Sequence, residues 1–222
     1  MSSVAIFANG TITDFERVRA ALTGENGVQV IAANGGAHYC AMLQLTPDLV
    51  IGDLDSLDEG LRARLAAAGV RIEAYPRDKD RTDLELALRA AVNRNPERIL
   101  LFGLLGGRLD QTIANLLLLA RPEWGPAQLI TVEGPDTAYL VRGGDSLEID
   151  GKPGETVSLI PLSPLVRGVT TQGLRWALNE AELSFGSTLG ISNELDSVPA
   201  VIHTTGGVLL VVHRTENRGR DS

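Results

Sequence analysis

A chain of 222 residues, 44% hydrophobic and 22% charged, has room for one large domain or two small ones around a real core. Its net charge of −8 argues against a nucleic-acid binder, and its single cysteine, Cys40, excludes an intrachain disulfide. Three histidines and one cysteine cannot build a zinc site of the usual ligand set, and the lack of a leader pattern or membrane-length apolar run predicts a soluble, cytoplasmic protein without a membrane partner.

Val4-Ala5-Ile6-Phe7-Ala8 reads as a buried strand ending in the turn pair Asn9-Gly10. Phe15, Val18 and Leu22 stand at helical spacing after a capping Asp14. A second strand, 28–33, runs into Asn34-Gly35-Gly36, with a helix over 37–43. Strand, paired glycines and helix can present backbone N–H groups to a phosphate, although glycine also serves such turns for steric reasons. Leu49-Val50-Ile51 predicts a third strand leading into Gly52-Asp53-Leu54-Asp55-Ser56. Ser56-Leu57-Asp58-Glu59 matches a capping box and predicts a helix through Ala68. A strand over 70–75 precedes the charged loop 76–83. The next helix should bury Leu84, Ala87, Leu88, Ala91 and Val92, with Thr82 or Asp83 at its N-terminus. Strand 98–102 enters Gly103-Leu104-Leu105-Gly106-Gly107-Arg108-Leu109-Asp110-Gln111. The helix after it, through Ala120, is apolar nearly all round and is expected to be central. Strand 128–132 closes the alternation.

Alternating strands and helices predict a mostly parallel sheet covered by helices. The pattern changes near Gly134-Pro135, after which strand-like runs follow at 138–142, 146–149, 156–162, 168–171, 174–178, 182–185, 201–205 and 208–213. The expected fold is a Rossmann-like α/β domain over 1–142 and a small β-sandwich or barrel-like domain over 143–222. Its junction should lie near Gly143-Gly144, and residues after His213 should fray.

The chemistry gathers at the carboxyl ends of predicted strands. Asp53 and Asp55, at i and i+2 of an extended segment, point to one side. Their repulsion would be relieved by a hard divalent ion, Mg²⁺ above all. Asn34-Gly35-Gly36, Lys79 to Asp83 and Gly106 to Asp110 stand at the ends of predicted strands and can converge with that pair if those strands are neighbours. Aspartates, a few basic groups and glycine turns suit a metal-bound polyphosphate. No serine–histidine–acid or cysteine–histidine set stands out for nucleophilic catalysis.

Three segments in order, Gly52-Asp53-Leu54-Asp55-Ser56, Lys79-Asp80-x-Thr82-Asp83-x-Glu85-x-Ala87 and Gly106-Gly107-Arg108-Leu109-Asp110-Gln111, resemble the thiamine pyrophosphokinase family. Gly173-Leu174-Arg175-Trp176-Ala177-Leu178 and Gly190-Ile191-Ser192-Asn193-Glu194 resemble that family's thiamine-side segments. The resemblance implies pyrophosphoryl transfer from ATP to the hydroxyl of thiamine, leaving AMP. It implies Mg²⁺ at Asp53, Asp55 and Asp83, with Asp110 as a further acidic member of the catalytic set. Nucleotide contacts would come from Asn9, Gly10, Asn34, Gly35, Gly36, Lys79, Asp80, Thr82, Arg108 and Gln111. Thiamine contacts would come from Trp176, Ser192 and Asn193, at the boundary of a homodimer. One position departs from the family: Asn34 stands where aspartate is usual, keeping an acceptor oxygen but losing the charge.

Simpler readings compete at each site. Asp83 and Asp110 could be helix caps, Trp176 core, and Ser192-Asn193 a turn. His38, His203, His213 and Cys40 are read as structural. Rival functions are a non-catalytic nucleotide or thiamine sensor, favoured by Asn34, and a pyrophosphokinase acting on another alcohol such as a pterin.

Overall fold

The computed structural model describes residues 2–25 and 27–215. The chain divides into two compact units, the first ending at Gly134 and the second beginning at Pro135. In the first unit the apolar runs form β1 (Ser3–Phe7), β2 (Gln29–Ala33), β3 (Leu49–Gly52), β4 (Arg71–Ala74), β5 (Arg98–Phe102) and β6 (Gln128–Glu133). They lie in the order β6-β5-β1-β2-β3-β4, and each neighbouring pair is parallel. All five residues of β1 are buried, as expected of a strand covered on both faces. The crossovers carry α1 (Phe15–Thr23), α2 (Gly36–Met42), α3 (Glu59–Ala67), α4 (Asp83–Val92) and α5 (Leu109–Leu119). Chain order runs outward from β1 to β4, then returns to β5 on the other side of β1. The carboxyl ends of β1 and β5 therefore flank a topological switch point, where open α/β sheets place ligands.

The second unit contains β7 (Asp136–Arg142), β8 (Ser146–Ile149), β9 (Thr156–Pro161), β10 (Leu165–Gln172), β11 (Ala181–Ser184), β12 (Asn193–Glu194), β13 (Ala200–His203) and β14 (Val208–Arg214). Strands β12-β9-β14-β7 form one antiparallel layer and β11-β10-β13-β8 another. Alternate residues of both layers, among them Val141, Leu159 and Val211 from one and Ile149, Val169 and Ile202 from the other, share one buried core. That is a sandwich.

Four expectations change. β7 belongs to the second unit, not the first, because it pairs with β14 along its whole length, from Asp136 to Arg142; the division falls near Gly134 rather than after Arg142. Asp58, not Ser56, caps α3: its carboxylate accepts the Leu61 N–H at 2.8 Å. Leu174–Leu178 is not a strand; only Leu174 bridges, to Leu195, and an irregular segment follows. Finally, α5 is not central. Leu119 is its one fully buried residue, while Leu109, Ile113 and Leu117 are 74%, 50% and 46% exposed. An all-apolar helix reads as buried, yet this one keeps a stripe at i, i+4 and i+8 in solvent. Of the tail expected to fray, Arg214 ends β14, and residues 216–222 lie outside the described residues.

Candidate active site

Asn34 follows β2 with φ 48°, a left-handed conformation that asparagine tolerates better than most residues. It is 6% exposed. Its amide Nδ2 donates to Asp53 Oδ1 at 2.8 Å, Asp55 Oδ1 at 3.0 Å and Asp83 Oδ2 at 3.2 Å. Its Oδ1 accepts the Ser56 N–H at 3.4 Å. Three loops thus deliver carboxylates to one nitrogen. Asp53 and Asp55 leave β3, and Asp83 begins α4 just after the capping Thr82, whose hydroxyl accepts from Glu85 N–H. α4 packs against β1, β2 and β3, which brings its N-terminus over the sheet edge. Gly52 makes the approach possible. Its φ is +143°, and a Cβ there would stand 2.9 Å from Asp83 Cγ and 3.1 Å from Asn34 Cβ.

Like charges so close are costly, and the neighbours show how they are held. Lys79 Nζ lies 3.0 Å from Asp83 Oδ1 and 3.6 Å from Asp53 Oδ2. Burial works to lower the Lys79 pKa, but the hydrogen bond to Asp83 and the charges of Asp83 and Asp53 outweigh it, and the net shift is upward. The Asp55 carboxyl is held below its usual range, first by the Asn34 amide and then by Asp53, with Ser56 and Arg77 adding to the shift. Among the described residues no group of three or more His, Cys, Asp or Glu is arranged as a metal-ligand set. The three carboxylates are gathered about an amide and an ammonium instead. Their donor chemistry, hard anionic oxygens converging on one point, fits a hard divalent cation such as Mg²⁺.

The opposite wall is glycine-rich. Gly10 N donates to Gly103 O at 2.8 Å, and Thr11 N donates to Leu105 O at 2.7 Å, so the loops after β1 and β5 run together at the switch point. A Cβ on Gly10 would stand 2.3 Å from both of those carbonyl oxygens. Between the two walls lies a cleft of about 640 Å³.

Asn9, Gly10, Asn34, Asp53, Asp55, Lys79, Thr82, Asp83, Arg108 and Gln111 all line this cleft, so the structure brings most of the sequence-predicted set together. Gly35 and Gly36 are buried behind the lining, where a Cβ on Gly36 would meet Phe7 O at 1.9 Å. Asp80 is exposed and is not part of the lining. Asp110 is not gathered with the other aspartates. Its carboxylate forms a two-point contact with Arg108, with Nη2–Oδ2 at 2.5 Å, and 66% of its side chain is exposed. Among the lining residues given no site role from the sequence are Arg77, Asn115 and Leu104. Arg77, one residue into the charged loop, was open to recognition as a phosphate-facing cation; Asn115 sits inside a helix with no motif around it.

In the second unit Trp176 is 53% exposed, with the Arg175 guanidinium 4.9 Å from its ring centroid. Arg175 also pairs with Glu194 at 2.7 Å. Asn193 is buried, and its amide is committed to the Trp176 backbone: Oδ1 accepts Trp176 N–H at 3.1 Å, and Nδ2 donates to Trp176 O at 2.8 Å. Asn193 therefore holds the indole in place through the backbone. Ser192, at φ 57°, forms the turn before it and donates its N–H to Ser158 Oγ at 3.0 Å.

A parallel α/β sheet with acidic and glycine-rich loops at its switch point, joined to a β-sandwich, defines a phosphotransferase of the nucleotide-binding kind. Residues 23–129 match the thiamin pyrophosphokinase catalytic domain, and residues 146–209 match the thiamin pyrophosphokinase vitamin B1 binding domain. Thiamine pyrophosphokinase of Bacillus subtilis is 31% identical over 173 residues, 78% of this chain and 80% of that protein. A crystal structure of thiamine pyrophosphokinase from Bacillus subtilis superposes with a TM-score of 0.83 at 28% identity, covering 97% of this chain and 100% of that one. The Candida albicans thiamin pyrophosphokinase shares the fold, with a TM-score of 0.76 at 16% identity over 97% of this chain and 89% of its own. The chain belongs to the thiamin pyrophosphokinase family.

Proposed function

We infer that this chain is a thiamine diphosphokinase, transferring the pyrophosphoryl group of ATP to the hydroxyl of thiamine and releasing AMP. The observation that carries the reading is the meeting of Asp53, Asp55 and Asp83 at Asn34, beside Lys79, in a cleft walled by glycine loops. In the reaction the thiamine oxygen bonds to the β-phosphorus, the bond from that phosphorus to the α,β-bridging oxygen breaks, AMP leaves with that oxygen, and the hydroxyl proton is lost. No covalent enzyme intermediate is needed, so the chain's task is positioning and charge stabilisation.

Asp53, Asp55 and Asp83 are the residues that would hold Mg²⁺, which when bound supplies charge neutralisation and polarisation of the polyphosphate. Lys79 orders two of those carboxylates and adds positive charge. Arg77 and Arg108 face the same cleft and suit the remaining phosphate oxygens. Glycine turns at Gly10 and Gly106-Gly107 let the chain approach the polyphosphate closely. Trp176 offers the exposed aromatic face that a cationic thiazolium favours, and Asn193 sets its position. A homodimer is part of this reading; the stripe of Leu109, Ile113 and Leu117 on α5 is an apolar surface a second copy would cover. A cytoplasmic location, where ATP is at hand, is part of the same reading. Among the described residues no helix is long and apolar enough to cross a membrane.

The deciding experiment is release of AMP from Mg-ATP on addition of thiamine, run beside a pterin alcohol. Thiamine-dependent AMP is expected; its absence at saturating Mg²⁺ would sink the assignment.

A further inference from the structure

Leu104 belongs to the loop after β5, part of the glycine-rich wall of the cleft. Its peptide groups are gripped by two side chains from outside the loop. Glu133, the last residue of β6, accepts the Leu104 N–H at 2.6 Å. Asn115, inside α5, donates Nδ2 to Leu104 O at 2.9 Å. The backbone N–H groups of Leu105 and Gly103 add to the pull of Leu104 on the Glu133 carboxylate. On the loop's other side, Gly103 O and Leu105 O accept the N–H groups of Gly10 and Thr11.

Consecutive N–H groups turned onto one anion make a nest, a geometry that elsewhere binds phosphate. Here the chain's own carboxylate fills it. Burial drives the Glu133 pKa up to about 7, against the pull of those N–H groups. With residues 103–105 tied inward, Gly106, Gly107 and Arg108 carry the cleft wall onward from Gly103 and Leu104. Their course is set by where the clamp releases the chain.

We propose that Glu133 and Asn115 are positioning residues that clamp the Leu104 peptide and so set the conformation of loop 103–108, on which the cleft's affinity for the nucleotide polyphosphate depends. The inference rests on the reading of the cleft as the ATP site.

Two measurements test it, one independent of function. The first is amide hydrogen exchange of the peptide spanning residues 103–108 in the wild type and in Glu133→Ala, Glu133→Gln and Asn115→Ala. The second is KM for Mg-ATP and for thiamine in the same proteins. Glu133→Ala should expose the loop amides to exchange and raise the ATP KM about tenfold or more, the scale of one or two lost hydrogen bonds. The thiamine KM should stay within about twofold, a split that general loss of fold would not produce. Glu133→Gln retains an acceptor oxygen and should recover part of both effects; Asn115→Ala should fall between. If Glu133→Ala does not fold, the other two variants decide by the same criteria. Wild-type exchange in folded variants overturns the clamp. Faster exchange with unchanged ATP KM overturns its link to the nucleotide. A wild type that binds no Mg-ATP sinks the nucleotide reading itself, while the exchange data still judge the clamp.

Discussion

In the first unit the groups proposed to act are charged, and they meet because loops after β2 and β3 and the start of α4 end at one sheet edge around the Asn34 amide. In the second unit the exposed indole of Trp176 sits on an irregular segment, where the Trp176 backbone is held by the buried side chain of Asn193. The first arrangement stores repulsion that a neutral amide, Lys79 and a cation can offset. The second stores none; its weak point is a pair of hydrogen bonds. Charge changes should therefore dominate function in the first unit, and position should dominate in the second.

The largest expected effect tests the charged side. Asp53→Asn and Asp55→Asn should each reduce turnover by about a hundredfold or more, and leave the metal-free fold intact, because each removes one of several repelling charges. Near-normal turnover of both variants at limiting Mg²⁺ would remove the carboxylates from the metal-binding role.

Asn34→Asp turns the same logic around. It replaces the donor at the centre of the cluster with a further acceptor. The metal-free variant should lose on the order of 2–4 kcal/mol of stability, the scale of a buried charge left without its partner. Millimolar Mg²⁺ should restore much of that. Urea melts with and without EDTA read both effects; an unchanged midpoint in EDTA contradicts the proposed repulsion.

Glu133 gives the first unit a pH dependence. Burial raises its carboxyl in the fold to about 7, from an ordinary value of 4.5. A raised carboxyl favours folding below its unfolded pKa, and that contribution is lost as pH rises through its folded value. Relative to Glu133→Gln, the wild type should lose on the order of 3 kcal/mol between about pH 4.5 and 7.5. Parallel stability curves for the two proteins across that window would refute the shift.

On the second unit's side, Asn193→Ala should cost about 2 kcal/mol of stability, since it strands the Trp176 N–H and carbonyl groups. It should also weaken thiamine binding in the same direction as Trp176→Ala. The smallest effect is Trp176→Ala itself, at roughly 0.5–2 kcal/mol of thiamine affinity, with Mg-ATP binding nearly unchanged. Calorimetric titrations of both ligands check the pair. Equal loss of both ligands in Trp176→Ala would make the indole a folding element.

Much of this was legible in the sequence. The strands of the first unit announce themselves as short apolar runs, and β1, β3, β4 and β5 lead into the carboxylates or glycines that meet in the cleft. The capping Thr82 fixes where α4 starts, and so where Asp83 stands. Local chemistry was enough for these, because strand burial, helix capping and turn residues act within a few positions of the chain.

Other features were decided only by the fold. Whether α5 is central depends on what packs against it, and the same apolar sequence would serve either place; three of its large side chains remain in solvent. Trp176 sits outside any strand because Asn193, seventeen positions on, takes its backbone groups before a neighbour strand can. Asp110 reads as a partner of the other aspartates until Arg108 engages it. Asn34 reads as a lost charge until three carboxylates are seen to share its amide. Glu133 and Asn115 carry no motif, and only the folding of β6 and α5 against the loop after β5 makes them partners of one peptide. The sequence determines which groups each loop carries; hydrogen bonds between residues far apart in the chain determine which of those groups meet, because such contacts depend on topology and not on local pattern.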